Sequence, residues 1–449
     1  MTETARHEAP TPVPPRQGLS YYQTTARAAP AAPPLAGDAR TGICIVGGGL
    51  TGISTALHLA ERGTDCLLLE GGALGDGASG RNGGQVGTGL NWSQDRLEAK
   101  LGAGWAAALW RLTEDAKAMV RDRVARHGIA CDLRHGVAHL AHRRRLVDDY
   151  RRTADHLQDR YGYRDIRFVD AAEAAAISGS TAYFGGTLDM GAMHLHPLNL
   201  LLGLADAAAA AGARLHARTP ALAVERVAGG GFAVRTPDGQ VRAERLVVAC
   251  NGYRGRFLPE IGGRNLPIDN FILATAPLPP DLLPPVLPAG HAVADSRYAV
   301  NYFRRTADDR LLFGGGENAG GPQPADLKQF VARRMWPVFP QLRDLAIDHA
   351  WAGTLAITAS RLPEFGRTAD GIYYAHGYSG HGLALSLLAG RLLAEAAGGG
   401  SGGGDGPETD GSDWDRLARL EHLPFPGGER FRRPLLALAL AWFRLLDRL

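Results

Sequence analysis

A glycine-rich turn between two short apolar runs constrains the fold of this chain more than any other feature. Residues 43–46 (ICIV) are all apolar, as expected of a strand buried on both faces. The turn GGGLTG at 47–52 follows directly, and apolar side chains then recur at helical spacing until Gly63. Residues 66–69 (CLLL) form a second apolar run. The pattern predicts a strand–helix–strand unit of a parallel sheet.

The glycine spacing in this turn fits GxGxxG, the fingerprint of dinucleotide binding. Gly47 permits the tight turn, Gly49 lets the backbone approach a pyrophosphate, and Gly52 lets helix and strand pack closely. The helix N-terminus directs its free N–H groups and positive dipole end towards the phosphates. Glu70 ends the second strand, where a carboxylate accepts hydrogen bonds from the adenosine ribose. An acidic residue there argues against a 2′-phosphate, and hence against NADP.

Two further glycine-rich segments favour FAD over NAD as the dinucleotide. Residues 75–85 are rich in glycine, so their backbone N–H groups are accessible beside Ser79 and Arg81. Such a loop suits a pyrophosphate and the ring system beyond it. Residues 376–382 (HGYSGHG) precede a second helix, whose N-terminus would stabilise negative charge on a reduced flavin. Alternatively, this turn only connects a strand to a helix and binds no ligand. The candidate FAD-binding residues are Gly47, Gly49, Gly52, Glu70, Ser79, Arg81, Gly83, Gly84, Gln85, Gly377, Gly380 and Gly382.

A further glycine motif is expected to bind nothing. Residues 314–319 (GGGENA) fit GxGxxA, but the sequence Gly-Gly-Pro follows at 320–322 and would break a helix. One dinucleotide fingerprint therefore remains, and no separate NADPH-binding domain is predicted. Electrons are then expected to come from the substrate, with the cofactor carrying the redox chemistry.

Composition excludes several other classes of protein. The 449 residues suggest two or three folding units, and the 45% hydrophobic content is ordinary for a globular protein. A formal net charge of +3 is too small to indicate that the protein binds nucleic acid. Four cysteines without metal-finger spacing, and His194 and His196 without a third ligand, predict no metal site. No apolar run reaches the ~20 residues of a membrane span, and no secretory signal is visible, so a cytoplasmic location is predicted.

Both ends of the chain differ in composition from its middle. Residues 1–40 are rich in proline and predict an extended N-terminal arm, in which residues 19–22 (LSYY) are the segment expected to dock on a folded surface. Residues 398–406 predict a glycine-rich linker, and residues 407–449 a C-terminal helical tail. The apolar stretch 435–449 is expected to pack against the body or a dimer mate, or else to lie at a membrane interface.

Longer stretches of the chain carry a resemblance to a known family. They are SYYQTTA, CIVGGGLTGISTALHLAERG, GASGRNGGQ, HPLNLLLGLA, VVACNGY, VNYFRRTADDRLLFGGG, WAGTLAITASRLPEFGR, YYAHGYSGHGLALSLLAGRLLAE and LPFPGGERFRRPLL. Together they resemble the D-amino-acid oxidase superfamily of FAD-dependent amine oxidoreductases, and more narrowly its gamma-glutamylputrescine oxidoreductase branch. The resemblance runs from about residue 20 to residue 395 and extends into the tail.

The resemblance implies an α/β fold of two parts. A Rossmann-like FAD-binding domain would be assembled from the discontinuous segments 41–95, 190–265 and 350–397. A substrate domain with a mixed or antiparallel sheet, formed by 96–189 and 266–349, would cap the isoalloxazine ring.

The resemblance also implies a reaction. Hydride transfer from an amine-bearing carbon to flavin N5 would be followed by hydrolysis of the imine, and the electrons would pass to oxygen or another acceptor. Gamma-glutamylputrescine is the first substrate implied. Noncovalent FAD is expected, because no cysteine lies in the second glycine turn and the first loop reads GRNG. With three lysines, none of them in a flavin motif, oxidase and dehydrogenase both stay open, as does the oligomeric state.

Two other functions stay open from the sequence. An N-methyl amino acid oxidase or dehydrogenase of the sarcosine type would act on a secondary amine and release formaldehyde. A non-catalytic flavin-binding module would act through a partner instead.

The substrate-side candidates rest on the same resemblance. Related oxidases place a tyrosine and a carboxylate-binding arginine on the strand that reads NYFRR here, so Tyr302 and Arg304 are the candidates, with Arg304 clamping the glutamyl carboxylate through two hydrogen bonds. In a regular strand Arg305 would face the opposite side. His381 is expected near the flavin edge. Alternatively, Arg304 is an ordinary surface residue and His381 only caps a turn.

Overall fold

The computed structural model describes residues 7–8, 19–253, 258–318, 323–399 and 412–426. Most of the predicted proline-rich arm before residue 19, nearly all of the predicted linker, and the apolar stretch 435–449 lie outside these residues. The predictions made for those three segments therefore stay predictions.

Ten α-helices and eighteen strands make up the described part of the chain. The helices are α1 (Tyr21–Thr25), α2 (Leu50–Ala60), α3 (Gln94–Leu101), α4 (Ala103–Arg126), α5 (Val147–Tyr161), α6 (Ala171–Ser178), α7 (Pro197–Ala210), α8 (Leu327–Met335), α9 (Gly382–Gly398) and α10 (Asp413–Ala418). The strands are β1 (His7–Glu8), β2 (Ala39–Val46), β3 (Cys66–Leu69), β4 (Gln85–Val86), β5 (Arg134–Leu140), β6 (Ile166–Val169), β7 (Gly186–His194), β8 (Arg214–His216), β9 (Ala223–Arg226), β10 (Phe232–Thr236), β11 (Gly239–Val248), β12 (Asn265–Pro277), β13 (Ala292–Asp295), β14 (Tyr302–Arg305), β15 (Arg310–Asn318), β16 (Ile347–Thr358), β17 (Glu364–Arg367) and β18 (Tyr373–His376).

The first sheet contains the predicted strand–helix–strand unit as β2–α2–β3. Strand β2 lies between β11 and β3 and is parallel to both, and β18 and β8 extend the parallel pairing on either side. Ile43 and Ile45 pack in the core that includes α2 and α9, whereas Cys44 and Val46 pack in a second core on the opposite face. Because both faces are covered, the run is apolar at every position.

Within the described residues each sheet has nine strands, and the order of the second is β16-β12-β15-β14-β13-β5-β7-β4 with β6 paired to β7. Its pairs are antiparallel except β13 with β5, so the sheet is mixed. A core rich in phenylalanine, including Phe271, Phe303 and Phe313, fills the space between this sheet and α8. Among the described residues no helix is both long and apolar enough to cross a membrane.

Strand β16 connects the two halves of the fold. It pairs with β12 along its whole length in the second sheet, and a Cβ placed on its Gly353 would lie 3.5 Å from Arg81 in the glycine-rich loop after β3. The strand thus crosses the predicted domain boundary between residues 349 and 350. The predicted division into two discontinuous domains stays a prediction.

Part of the predicted extended arm is helical. Ser20 and Gln23 form a capping box, in which the Ser20 side chain accepts from the Gln23 N–H and the Gln23 side chain accepts from the Ser20 N–H. Helix α1 buries Tyr21 and Tyr22 against the body of the protein. The predicted segment docks on the body of the protein, but as a helix of five residues whose first turn is stabilised by the capping box.

Candidate active site

A cavity of about 350 Å³ lies between the two sheets and collects most of the predicted site residues. Strands of the second sheet form part of its wall, together with loops that follow β2, β3, β11 and β18 of the first sheet and the first turns of α2 and α9. The predicted residues on the wall are Gly49, Ser79, Arg81, Gly83, Gln85, Tyr302, Gly380, His381 and Gly382. The predicted residues that are not on the wall are Gly47, Gly52, Glu70, Gly84, Arg304 and Gly377.

The turn between β2 and α2 needs its glycines for steric reasons. Gly47 has φ +116°, and a Cβ there would lie 2.7 Å from the Ala249 carbonyl oxygen. A Cβ on Gly52 would lie only 1.9 Å from the Gly47 oxygen. Gly49 is the N-cap of α2, and Ser79 Oγ accepts a hydrogen bond of 3.0 Å from the Leu50 N–H. The backbone of this turn is therefore accessible from the cavity, beside the Ser79 hydroxyl group.

Glu70 holds this turn from the end of β3. Its carboxylate accepts from the Gly48 N–H at 2.6 Å and from the Gly72 N–H at 2.8 Å. Burial raises the pKa of Glu70, and the two backbone N–H groups oppose that rise. Its predicted bond to a ribose stays a proposal.

The loop after β3 is tied to the rest of the site mainly through its arginine. Arg81 donates from Nε to the Asp76 carbonyl oxygen at 2.9 Å, and its own carbonyl oxygen accepts from Trp351 Nε1 at 3.0 Å. Further along the loop, Gln85 Nε2 donates to the Val293 oxygen at 3.0 Å in the second sheet. These bonds fix the loop between the two sheets, along one wall of the cavity.

The second glycine turn brings another helix N-terminus to the same cavity. Gly377 and Gly380 have φ values of +74° and +96°, and α9 begins at Gly382 directly after them. The hydroxyl groups of Thr51 and Tyr378 lie 2.7 Å apart and join this turn to α2. Two helix N-termini therefore face one cavity, an arrangement that stabilises negative charge.

These features fit FAD as the bound group. The glycine turns leave space that a Cβ would fill, and the paired helix N-termini suit a pyrophosphate and an electron-rich ring edge. Among the described residues no group of three or more potential metal ligands occurs. His196 caps α7 by accepting from the Asn199 N–H, and His194 contacts the Gly290 carbonyl oxygen.

The structure separates the two residues predicted on β14. Tyr302 lies on the cavity wall, where its hydroxyl donates to Asn270 Oδ1 at 2.5 Å and burial raises its pKa. Arg304 is 1% exposed and lies off the wall, with Nε donating to the Gly83 oxygen at 3.0 Å. The predicted carboxylate clamp therefore needs correction, because α1 and the glycine loop enclose the Arg304 guanidinium. Arg305 points elsewhere and donates to the Leu283 oxygen.

His139 was missed by the sequence analysis. It lies on β5 and lines the cavity together with Val137, two residues before it on the same face of the strand. Strand β5 lies within a segment whose pattern is mainly helical, so the apolar–polar alternation around His139 was the only available signal. Other charged or polar wall residues were missed as well, among them Asn91, Asn270, Asp295, Glu317 and Arg361.

Both cavity histidines are kept neutral. Burial, with a smaller contribution from the nearby His139, lowers the pKa of His381 to about 4. Burial also lowers the pKa of His139, while Asp189 opposes that shift. At neutral pH the two imidazoles therefore add no positive charge to the cavity, and each keeps one nitrogen able to accept a hydrogen bond.

We expect folding stability to fall as the pH drops from 7 to 5. Burial lowers the pKa of His58, His196 and His381 to about 4 and that of His194 to about 3. The unfolded chain then binds more protons than the folded protein between these values and about 6.5, so acid favours unfolding. Thermal unfolding midpoints across this range test the prediction, and a flat or rising midpoint on acidification contradicts it.

Comparison with known proteins gives the same assignment. The model of the family "DAO: FAD dependent oxidoreductase" matches residues 42–396. The chain is 40% identical over 431 residues to the probable oxidoreductase OrdL of Rhizobium meliloti (strain 1021), covering 96% of this chain and 98% of that one. It is 38% identical over 408 residues to the gamma-glutamylputrescine oxidoreductase of Escherichia coli (strain K12), covering 91% and 93% of the two chains.

The solved structures agree at the level of the fold. The crystal structure of glycine oxidase from Geobacillus kaustophilus superposes with a TM-score of 0.71 at 23% identity, covering 85% of this chain and all of that one. The predicted family resemblance, α/β fold class, FAD cofactor and oxidoreductase activity are confirmed. With the glycine cradle and the paired helix N-termini, these matches show that the chain belongs to the DAO family of FAD-dependent oxidoreductases.

Proposed function

We propose that this protein oxidises a primary amine, and that gamma-glutamylputrescine is the first substrate to test. The observation that carries the proposal is the 38% identity, over 91% of this chain, to a relative with the name gamma-glutamylputrescine oxidoreductase. The cavity supports it, because both histidines on its wall are neutral and the substrate amine is cationic in water. A cytoplasmic location and oxygen or another acceptor for the electrons belong to the same proposal.

The chain would hold FAD, without a covalent bond, through the elements that line the cavity and through Glu70 beside it. The N-terminus of α2 with Ser79 would hold the pyrophosphate, Glu70 the adenosine ribose, and the N-terminus of α9 the electron-rich ring edge. FAD supplies a two-electron acceptor for oxidation of the C–N bond. Positioning and exclusion of water are the tasks of the protein.

The cavity wall would bind the amine through groups that accept hydrogen bonds. An imidazole nitrogen of His139 would accept from the amine, whereas His381 Nδ1 already lies 3.5 Å from the Asn91 amide nitrogen. The Tyr302 hydroxyl is oriented by its bond to Asn270. Oxidation removes a hydride from the carbon and a proton from the nitrogen, which turns the amine into an imine. Water then adds to the imine carbon, and the products are an aldehyde and ammonia.

Product analysis separates this reaction from its main alternative. Gamma-glutamylputrescine is expected to give one ammonia and one gamma-glutamylated aminoaldehyde per two electrons transferred. An N-methyl amino acid would give formaldehyde and the demethylated amino acid. Turnover that releases formaldehyde from sarcosine, with none from gamma-glutamylputrescine, would overturn the proposed substrate class.

Replacing His139 by leucine is expected to lower kcat/KM for the amine while FAD stays bound. Loss of a hydrogen bond to a charged group costs about 1.5–3 kcal/mol, which corresponds to roughly tenfold to a hundredfold in rate. His135→Leu is the matched control, because His135 lies on the same strand with its side chain exposed. Equal kcat/KM values for the two variants would contradict the assignment of His139 to the substrate wall.

A further inference from the structure

The N-terminal segment 19–25 contacts the glycine-rich loop after β3 and precedes the residues matched by the family model. We call this segment, which contains α1, the N-terminal clasp. The family model matches residues 42–396, so the clasp lies ahead of the residues that it covers. Tyr22 is fully buried, and its ring lies 4.8 Å from the His196 ring and 5.5 Å from the Trp351 ring, measured between centroids. The clasp is therefore a packed part of the body.

Gln23 of the clasp reaches the cavity wall through Arg81. Its Oε1 accepts from the Ser20 N–H at 3.0 Å within the capping box and from Arg81 Nη2 at 3.3 Å. The same guanidinium donates to the carbonyl oxygens of Asp76, in the loop, and Ala352, in β16. Arg81 thus joins the loop, the second sheet and the clasp at one point of the cavity wall.

Tyr22 reaches the same loop through Arg304. Arg304 Nη2 donates to the Tyr22 hydroxyl at 3.3 Å, while Nε donates to the Gly83 oxygen at 3.0 Å. A Cβ on the neighbouring Gly84 would lie 3.1 Å from Arg304 Nε, so the arginine packs directly on the loop backbone. Loop residues 81–84 are therefore held by two arginines, and each arginine has a partner in the clasp.

We propose that the N-terminal clasp is a positioning element of the FAD site, which holds loop residues 81–84 in the conformation that binds the cofactor. Without the clasp, two buried guanidinium groups each lose an acceptor, and the loop gains freedom that FAD binding must then remove. The clasp touches neither substrate nor cavity, so it acts through Arg81 and Arg304. The inference rests on FAD as the cofactor and is independent of which amine is oxidised.

The test compares FAD affinity in variants of the full-length protein. In the double variant Tyr22→Phe, Gln23→Met the two side chains keep their size and lose both acceptors. We expect its FAD dissociation constant, measured by flavin fluorescence on the reconstituted apoprotein, to rise roughly tenfold or more. Gln23→Glu keeps an acceptor for Arg81 and the capping box, and is expected to bind FAD as the unchanged protein does.

Tyr21→Phe is the matched control for the clasp. It lies in the same helix, and its hydroxyl donates to Asp308 at 2.6 Å, away from the glycine-rich loop. We expect Tyr21→Phe to leave the FAD dissociation constant unchanged. The unfolding midpoint of each apoprotein, measured in parallel, separates positioning from general stability.

Two results would overturn the proposal. The first is an unchanged FAD dissociation constant in the double variant. The second is a loss of FAD affinity that is matched by Tyr21→Phe, or that follows the apoprotein unfolding midpoint across all variants, because that loss would be structural. Failure of every amine to reduce the bound flavin would overturn the proposed function and leave these affinity comparisons intact.

Discussion

Gly52→Ala is expected to abolish tight FAD binding. The added methyl group would lie 1.9 Å from the Gly47 carbonyl oxygen, so either α2 must move away from β2 or the turn must change its conformation. Both changes displace the N-terminus of α2 that faces the cavity. Relieving such an overlap costs about 3 kcal/mol or more, so the FAD dissociation constant should rise roughly a hundredfold or more.

Two further glycine variants keep this prediction testable even if Gly52→Ala fails to fold. A Cβ on Gly49 meets only Ser79 Oγ, at 2.9 Å, and this hydroxyl can rotate away, so Gly49→Ala should fold and weaken FAD binding by a smaller factor. Gly104 lies in α4 with no atom within 4 Å of its added Cβ, and Gly104→Ala should bind FAD unchanged. Full FAD binding by Gly52→Ala, or equal losses in Gly49→Ala and Gly104→Ala, would contradict the placement of FAD at the N-terminus of α2.

Lys117→Met is expected to destabilise the protein by about 3–5 kcal/mol, the range for removing one partner of a buried charged network. Lys117 is 1% exposed, and its Nζ lies 2.7 Å from Thr88 Oγ1, 2.8 Å from the Tyr163 hydroxyl and 2.9 Å from Glu114. The same Thr88 and Tyr163 hydroxyl groups donate to the buried Asp189. Methionine fills the space of the lysine chain but leaves two carboxylates without their cation.

Chemical denaturation of Lys117→Met and Lys100→Met measures this effect. Lys100 is exposed on α3, so the same substitution there should change the free energy of unfolding by about 0.5 kcal/mol or less. Thr88 lies between Gly87 and Gly89, which both line the cavity, so the Lys117 variant is also expected to weaken FAD binding. A free energy of unfolding for Lys117→Met within about 0.5 kcal/mol of the unchanged protein would contradict the prediction.

The strand–helix–strand unit was predictable because its signals are local. An apolar run, three spaced glycines and a carboxylate at the end of the next strand lie within residues 43–70, and the structure places them as β2, α2, β3 and Glu70. The second glycine turn was predictable for the same reason, since its positive φ angles and the following helix are both encoded within residues 376–392.

The substrate side was less predictable because its burial depends on distant segments. Arg304 and Tyr302 are two residues apart on one strand, yet only Tyr302 reaches the cavity. The difference arises because α1, almost three hundred residues earlier in the chain, covers Arg304. His139 likewise becomes a wall residue only when β5 pairs with β13 and β7 in the second sheet. Such contacts have no signature in a local sequence pattern.

Oxidation of an amine by FAD bound to this chain has a spectroscopic signature. The visible spectrum of the purified protein, recorded before and after anaerobic addition of gamma-glutamylputrescine, tests it most directly. We expect flavin absorption bands that bleach on addition, and their return on admission of air would identify an oxidase. Flavin bands that persist with gamma-glutamylputrescine and with every other amine tested would contradict the claim and leave a flavin-binding protein without amine oxidation.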